Sequence, residues 1–221
     1  MKEEKKYPIV ETFYSLQGEG LWAGTPMFFI RMAGCNLFCQ FCDTKYALGA
    51  PTPGSMLSIS QLSNLAAKTK ADRIVLTGGE PLIHDLEPLV FELINEGYNI
   101  HIETNGTLPC PFVDWLTVSP KCGLNKLCED TLYKANEIKF LIGDIGDPVK
   151  ELYGDWEDYI NAFLTTFPDL DARLLVMPIA EVNSRAMDSL VWTNIDKAIQ
   201  YCLEHPQFSL TLQVHKILNV R

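Results

Sequence analysis

Three cysteines fall within eight residues, Cys35-Asn36-Leu37-Phe38-Cys39-Gln40-Phe41-Cys42, in the pattern CxxxCxxC. Thiolates bind soft metals and iron–sulfur clusters. With three protein ligands, a four-iron cubane keeps one iron open to a substrate or cofactor, whereas an electron-transfer cluster normally has four. Zinc would need a fourth ligand from a distance, from Cys110, Cys122, Cys128, His84 or His101. The spacing is too tight, on a loop that follows a strand, for three inert core thiols.

Other polar motifs recur where apolar runs end. Thr77-Gly78-Gly79-Glu80-Pro81 places two residues without side chains where backbone can approach a ligand, and Glu80 can pair with an ammonium group. By itself this sequence is weak evidence, since a strand ending in Gly-Gly is commonly just a tight turn. Glu103-Thr104-Asn105-Gly106-Thr107 offers hydroxyl and amide groups suited to ribose hydroxyls, with an Asx turn as the plainer reading. Ser119-Pro120-Lys121 puts a cation where a carboxylate could meet it.

These motifs need a scaffold, and the apolar runs supply one. Met27 to Arg31, Arg73 to Thr77, Asn99 to Glu103, Trp115 to Ser119, Glu137 to Ile142, Ala172 to Pro178 and Phe208 to Val214 read as short buried strands bounded by turn residues. Between them, Leu86, Leu89, Val90, Leu93 and Ile94 form a helical stripe, and Ile195, Ala198, Ile199, Cys202 and Leu203 form another, which His205-Pro206 stops. Further helices are expected from Ser58 or Ser60 and over Trp156 to Phe167. Tyr46 to Met56 and Lys121 to Leu132 read as loops. Strands alternating with helices predict an α/β fold with a mainly parallel sheet, in one domain spanning residues 1–221. In such sheets the C-terminal strand ends gather function. Cys35, Gly78-Gly79, Thr104-Asn105, Pro120-Lys121 and His215-Lys216 are all expected there, around one pocket.

Composition bounds the partners. A formal charge of −10, with 47% hydrophobic and 21% charged residues, indicates a globular chain and argues against a broad nucleic-acid surface. Met1-Lys2-Glu3-Glu4-Lys5-Lys6 has no apolar stretch behind it, and no run approaches a membrane span, so a cytoplasmic location without membrane contact is expected. Seven cysteines, an odd number in a chain of this size, favour metal or redox chemistry over a disulfide framework.

The cysteine loop followed in order by the GGEP turn resembles the radical S-adenosylmethionine superfamily. Leu16-Gln17-Gly18-Glu19-Gly20, Arg31, Asp43-Thr44-Lys45, Ser119-Pro120-Lys121 and Gln213-Val214-His215-Lys216 narrow it, and from about Tyr7 onward the chain closely resembles the 7-carboxy-7-deazaguanine synthase family. The resemblance implies a partial, incomplete β/α barrel. It also implies conversion of 6-carboxy-5,6,7,8-tetrahydropterin to 7-carboxy-7-deazaguanine with loss of ammonia, a lyase step feeding queuosine and other 7-deazapurines.

The family's site residues carry over one by one. Cys35, Cys39 and Cys42 would hold a 4Fe-4S cluster. Phe41, Cys42 and Asp43, then Gly78, Gly79 and Glu80, Thr104 and Asn105, and Ser119, Pro120 and Lys121 would bind S-adenosylmethionine, with Phe41 packed near the adenine. Met177-Pro178-Ile179-Ala180 replaces a segment that often begins Gln-Pro, which leaves backbone contacts to adenine as the expectation there. Leu16, Gln17, Gly18, Glu19, Arg31 and Thr77 would contact the pterin, Arg31 through a planar fork suited to its carboxylate, and the terminal Arg221 would approach it. Thr44 would ligate Mg²⁺, although its type alone suggests a helix N-cap. A homodimer and an electron donor such as flavodoxin are implied as partners. Two other readings stand beside this one. A glycyl-radical-enzyme activase shares CxxxCxxC, but the Leu16 to Gly20 segment and Arg31 favour the pterin. In a zinc-stabilised binding module, Gly78-Gly79 would be only a turn.

Overall fold

A computed structural model of the chain describes residues 4–49, 55–143, 149–180 and 191–220. Its centre is a nine-stranded open sheet in the order β3-β1-β2-β4-β5-β6-β7-β8-β9. The strands are β1 (Lys6–Leu16), β2 (Pro26–Met32), β3 (Met56–Ser58), β4 (Arg73–Gly78), β5 (Asn99–Thr104), β6 (Trp115–Val118), β7 (Glu137–Ile142), β8 (Arg173–Pro178) and β9 (Phe208–Leu210). From β2 through β9 the neighbours in this order pair in parallel, while β1 is antiparallel to both β2 and β3. The sheet is the expected mainly parallel, incomplete barrel.

Two strands escape the sequence reading. β1 carries a register shift between Ile9 and Glu11, which breaks the alternation that would mark it as a strand. β3 is only three residues long and runs straight into the next helix. The strand expected over Phe208 to Val214 stops at Leu210, because the chain turns there toward the first loop. Val214 donates to the Gly18 carbonyl at 2.9 Å and begins a short helix, so His215 and Lys216 lie on that helix and not at a strand end.

The helices are α1 (Ile59–Ala66), α2 (Glu87–Asn95), α3 (Glu129–Tyr133), α4 (Val149–Tyr153), α5 (Trp156–Thr166), α6 (Trp192–Glu204) and α7 (Val214–Ile217). Ser58 starts α1 through a capping box with Gln61. On α2 the expected stripe is buried except for Ile94 at its end. On α6 Ile195 and Ala198 are buried, Cys202 is half-buried, and Tyr201 takes the place expected for Ile199 and Leu203, which face outward. The segment Lys121 to Leu132 is not wholly loop, since it holds a short 3-10 turn at Leu124–Lys126 and the start of α3.

The period of two along each strand divides the barrel into two faces. Outward residues such as Ile30, Leu76, Ile102, Val118, Ile138, Phe140 and Val176 join Leu62, Leu89, Phe163 and Ala198 of the helices in one large apolar core. Inward residues change character along the barrel. At the N-terminal end of the strands, Trp22, His101 and Trp115 meet edge to face or stacked, with ring centroids 5.3 to 6.3 Å apart, and the Arg73 guanidinium lies 4.6 Å from the Trp22 ring. Burial, helped by Arg73, lowers the His101 pKa to about 4, so it packs as a neutral ring. At the C-terminal end the inward positions are Arg31, Thr77, Glu103, Ser119, Lys139 and Met177, which line a cavity.

Candidate active site

Two cavities meet at that end. The larger, about 860 Å³, is lined by Gln17, Gly18, Glu19, Arg31, Thr77, Glu103, Lys139, Met177 to Ala180, Gln213, His215 and others. The smaller, about 160 Å³, is lined by Cys35, Cys39, Cys42, Gly78, Gly79, Thr104 and Asn105 among others. Phe41, Asp43, Thr44, Thr77, Gly78, Glu103, Ser119, Lys121 and Lys139 border both. The motifs expected around one pocket therefore do come together, around two adjoining spaces.

The cysteine loop is set down on the end of β4. Glu80 donates its backbone N–H to the Gly34 carbonyl at 2.9 Å, and Gly79 donates to Met32 at 3.2 Å. Asn105 Nδ2 donates to Asn36 Oδ1 at 2.9 Å, and Asn36 Nδ2 donates to Thr107 Oγ1 at 2.8 Å, which joins the loop to the end of β5. All three thiols are free, half-buried and open to one cavity. Burial raises the Cys35 and Cys39 pKa values, and neighbouring thiols add to that. Among the described residues no three Cys, His, Asp or Glu side chains converge on a single ion. Cys110, Cys122, Cys128, His84 and His101, the candidates for the distant ligand that zinc requires, line neither cavity, and the His84 ring is bonded to the Ala33 carbonyl. Thiols spread around a shared space suit a multi-iron cluster, in which each binds a different iron.

The strand-end polar groups are largely engaged with one another. Glu80, expected to meet an ammonium group, is 0% exposed and lines neither cavity. Its carboxylate accepts from Leu82 N–H at 3.0 Å, Thr104 Oγ1 at 2.7 Å and Asn105 N–H at 2.7 Å. Burial raises its pKa, and these donors pull the other way. Glu80 thus fastens β4 to β5 under the cavity floor. Asn105 Oδ1 accepts from Thr107 N–H at 3.0 Å, which is the plainer Asx-turn arrangement. Lys121 Nζ donates to the Ser119 carbonyl at 2.9 Å; burial first, then nearby Lys139, lower its pKa. Pro120 borders neither space.

The larger cavity is built on a carboxylate that the sequence reading left unassigned. Glu103 accepts from Gln17 Nε2 at 2.9 Å and from Thr77 Oγ1 at 3.2 Å, so three strand ends meet on it. Gln17 Oε1 in turn accepts from Gly18 N–H at 2.8 Å and Glu19 N–H at 3.2 Å, which folds the loop after β1 over the cavity. Glu19 forms an ion pair with Lys139 and accepts from Gln213 Nε2 at 2.9 Å. Burial works against both charges, yet each outweighs it for the other: Lys139 is pushed up and Glu19 down. His215 presses on the loop from the other side, its Nδ1 2.0 Å from where a Cβ on Gly18 would sit. Burial lowers the His215 pKa, against the pull of Glu19.

Arg31 lies on the cavity wall with its Nε donating to Glu11 at 2.9 Å, and Tyr46 Oη donates to the same carboxylate at 3.0 Å. That bond uses one of five guanidinium donors. Asp43 is held by Lys216 at 2.8 Å and Gln213 at 3.1 Å; burial opposes its charge, but Lys216 keeps its pKa well below the usual carboxylate range. Thr44 precedes a 3-10 turn at Lys45–Ala47 without capping it, and its hydroxyl donates to Asp43 at 2.9 Å while bordering both cavities. Leu16 lines the larger cavity, and Arg221 lies outside the described residues.

Glu103, Lys139 and Gln213 were legible only in part. A charged residue inside an otherwise apolar strand, as in Glu137 to Ile142, marks an inward polar position that only a paired or ligand-facing group can hold.

A fold of this kind with three thiols at its open end defines a radical S-adenosylmethionine enzyme, and the radical SAM superfamily model matches residues 29–126. A 7-carboxy-7-deazaguanine synthase from Synechocystis sp. is 39% identical over 97% of this chain and 94% of its own length. That of Burkholderia multivorans is 34% identical over 97% and 99%. The crystal structure of QueE from Escherichia coli superposes with a TM-score of 0.74 at 29% identity, covering 95% of each chain. This chain belongs to the 7-carboxy-7-deazaguanine synthase family. A 4Fe-4S cluster and S-adenosylmethionine are the family's cofactors, and the resemblance read from the motifs holds. Among the described residues no helix is long and apolar enough to cross a membrane.

Proposed function

We propose that this chain, as a single catalytic domain, converts 6-carboxy-5,6,7,8-tetrahydropterin to 7-carboxy-7-deazaguanine with release of ammonia. The observation that carries this is the larger cavity, which Arg31 lines together with Gln17, Glu19 and Glu103 beside the thiol-lined space. A pterin bearing a carboxylate has one anionic end and one hydrogen-bonding edge, and the wall offers a group for each.

When bound, the cluster and S-adenosylmethionine supply hydrogen abstraction. The chain supplies the rest. Cys35, Cys39 and Cys42 would hold the cluster. Gly78 and Gly79, Thr104 and Asn105, Phe41, Ser119, Lys121 and the Met177 to Ala180 backbone would seat S-adenosylmethionine, while Glu80 positions that floor without touching it. Arg31 binds the pterin carboxylate. Gln17, Gly18 and Glu103 with Thr77 orient the ring, and the Leu16 to Leu21 loop and Thr211 to Lys216 exclude water.

Thr44 is the proposed Mg²⁺ ligand; it caps no helix and lines both cavities, and water and substrate oxygen would complete the shell. A homodimer and a flavodoxin-type electron donor are further inferences from the family resemblance; Phe38, 81% exposed within the cysteine loop, supports docking of a donor there. Seven free thiols accord with a reducing, cytoplasmic setting.

The test is anaerobic turnover of the reconstituted, reduced enzyme with S-adenosylmethionine, Mg²⁺ and carboxytetrahydropterin. The expected product is 7-carboxy-7-deazaguanine. Formation of 5′-deoxyadenosine without it would overturn the substrate assignment. In the same assay Arg31→Ala should raise the pterin KM at least ~10-fold, the value of a charge-assisted bond, and leave iron content unchanged. An unaltered KM would remove Arg31 from the carboxylate site.

A further inference from the structure

β7 is buried along its whole length, yet it carries two charged residues on its inward face, Glu137 at 3% and Lys139 at 6% exposure. Buried charges persist only where partners hold them. Here both side chains reach the same loop, and Glu137 is also tied to β6. Glu137 Oε2 accepts from Leu21 N–H at 3.2 Å, and Oε1 accepts from Thr117 Oγ1 at 2.9 Å. Gly20, at φ +68°, lies so close that a Cβ there would be 2.2 Å from Glu137 Oε1. Lys139 forms its ion pair with Glu19. The C-terminal segment completes the lacing, with Gly20 N–H on Thr211 Oγ1 at 2.8 Å.

We propose that Glu137 and Lys139 are positioning residues for the reaction, which register the substrate-facing loop from Gln17 to Leu21 on β7, Lys139 acting through Glu19. This rests on the pterin reading of the cavity. Glu137 borders neither cavity, so its part is to hold backbone. Lys139 does border them, but its ammonium is committed to a carboxylate of the loop. The geometry explains why residue 20 is glycine: both its backbone angle and the space against Glu137 exclude a side chain.

The test compares anaerobic pterin and S-adenosylmethionine affinities for the reconstituted wild type, Lys139→Met, Lys139→Arg, Glu19→Gln and the Glu19→Gln/Lys139→Met double variant. Lys139→Met should weaken pterin binding at least ~10-fold, Lys139→Arg should restore most of it, and the double variant should be little worse than the weaker single one. S-adenosylmethionine affinity and iron content should stay within about twofold, well under the tenfold that one charged bond is worth. Gly20→Ala, which pushes the loop off β7 against Glu137, should give the same selective loss if Lys139→Met folds poorly. Additive effects of Glu19→Gln and Lys139→Met, or unchanged pterin affinity in Lys139→Met and Gly20→Ala, would overturn the proposal. So would a parallel fall in iron content, which would mark a role in general stability. Hydrogen exchange at Gly18 to Leu21 should quicken in Lys139→Met without any substrate, and unchanged exchange would overturn the loop role independently. A wild type that binds no carboxytetrahydropterin would instead refute the substrate assignment.

Discussion

Cys39→Ala should leave a folded protein that takes up little cluster after anaerobic reconstitution and forms no detectable deazaguanine. The reasoning starts from the cavity. Its three thiols stand around one space, and no other cysteine or histidine among the described residues lines it. A cluster seated there would rest on these three thiols. Outer-shell partners of a metal site alone are typically worth 10–100-fold, so loss of a ligand should cost at least ~100-fold in activity. The fold should survive, because Cys39 is half-buried on a loop and lies outside the large apolar core. Iron per chain, the cluster's absorbance and the circular dichroism melt separate the two effects. Wild-type iron content with activity lost would mean that Cys39 serves turnover without holding the cluster, and full activity would exclude it from the site.

How much of this was legible beforehand depended on whether a feature is local. Glu137 to Ile142 matches its strand residue for residue, and Arg73, Asn99 and Trp115 each start the strand expected to begin there, since continuous β-branched and aromatic runs between turn residues leave few alternatives. β1 was missed because its bulge at Ile9 to Glu11 and its polar inward positions look like a motif segment and not a strand. The cysteine loop and the glycine turn were visible as patterns, but their contact was not. Nothing in the sequence says that Gly79 lies against Gly34 and not against a ligand, because the distance is set by the parallel pairing of β2 with β4. Glu80 shows the same limit. A carboxylate after Gly-Gly reads as a ligand-facing group until β5 delivers Thr104 and Asn105 to it. Glu103 failed in the opposite direction: it ends an apolar run and looked like a boundary residue, although three elements converge on it.

That contact between β4's turn and the cysteine loop makes Gly79→Ala the most revealing single substitution outside the cysteines. A Cβ on Gly79 would stand 2.2 Å from the Gly34 carbonyl oxygen and 2.9 Å from Cys35 Cβ. Neither neighbour is a flexible side-chain tip. The Gly34 carbonyl accepts Glu80 N–H, and the Gly34 N–H is bonded to the Ala47 carbonyl at 2.7 Å, so the backbone between β2 and Cys35 is held at both ends. An added methyl group must therefore lift the cysteine loop off β4, and overpacking of this kind costs about 1–3 kcal/mol. The functional loss should exceed the stability loss, since a displacement of ~1 Å at a reacting centre can cost on the order of 10²-fold. If the glycine serves only to let a ligand approach, Gly79→Ala should keep its full iron content and lose S-adenosylmethionine affinity alone. If it serves to seat the cysteine loop, iron content falls first, and binding and turnover fall with it. The second outcome is expected. Iron per chain after reconstitution, read beside the S-adenosylmethionine dissociation constant, decides between them, and a variant with normal cluster content would return Gly79 to the ligand-approach role suggested by its sequence.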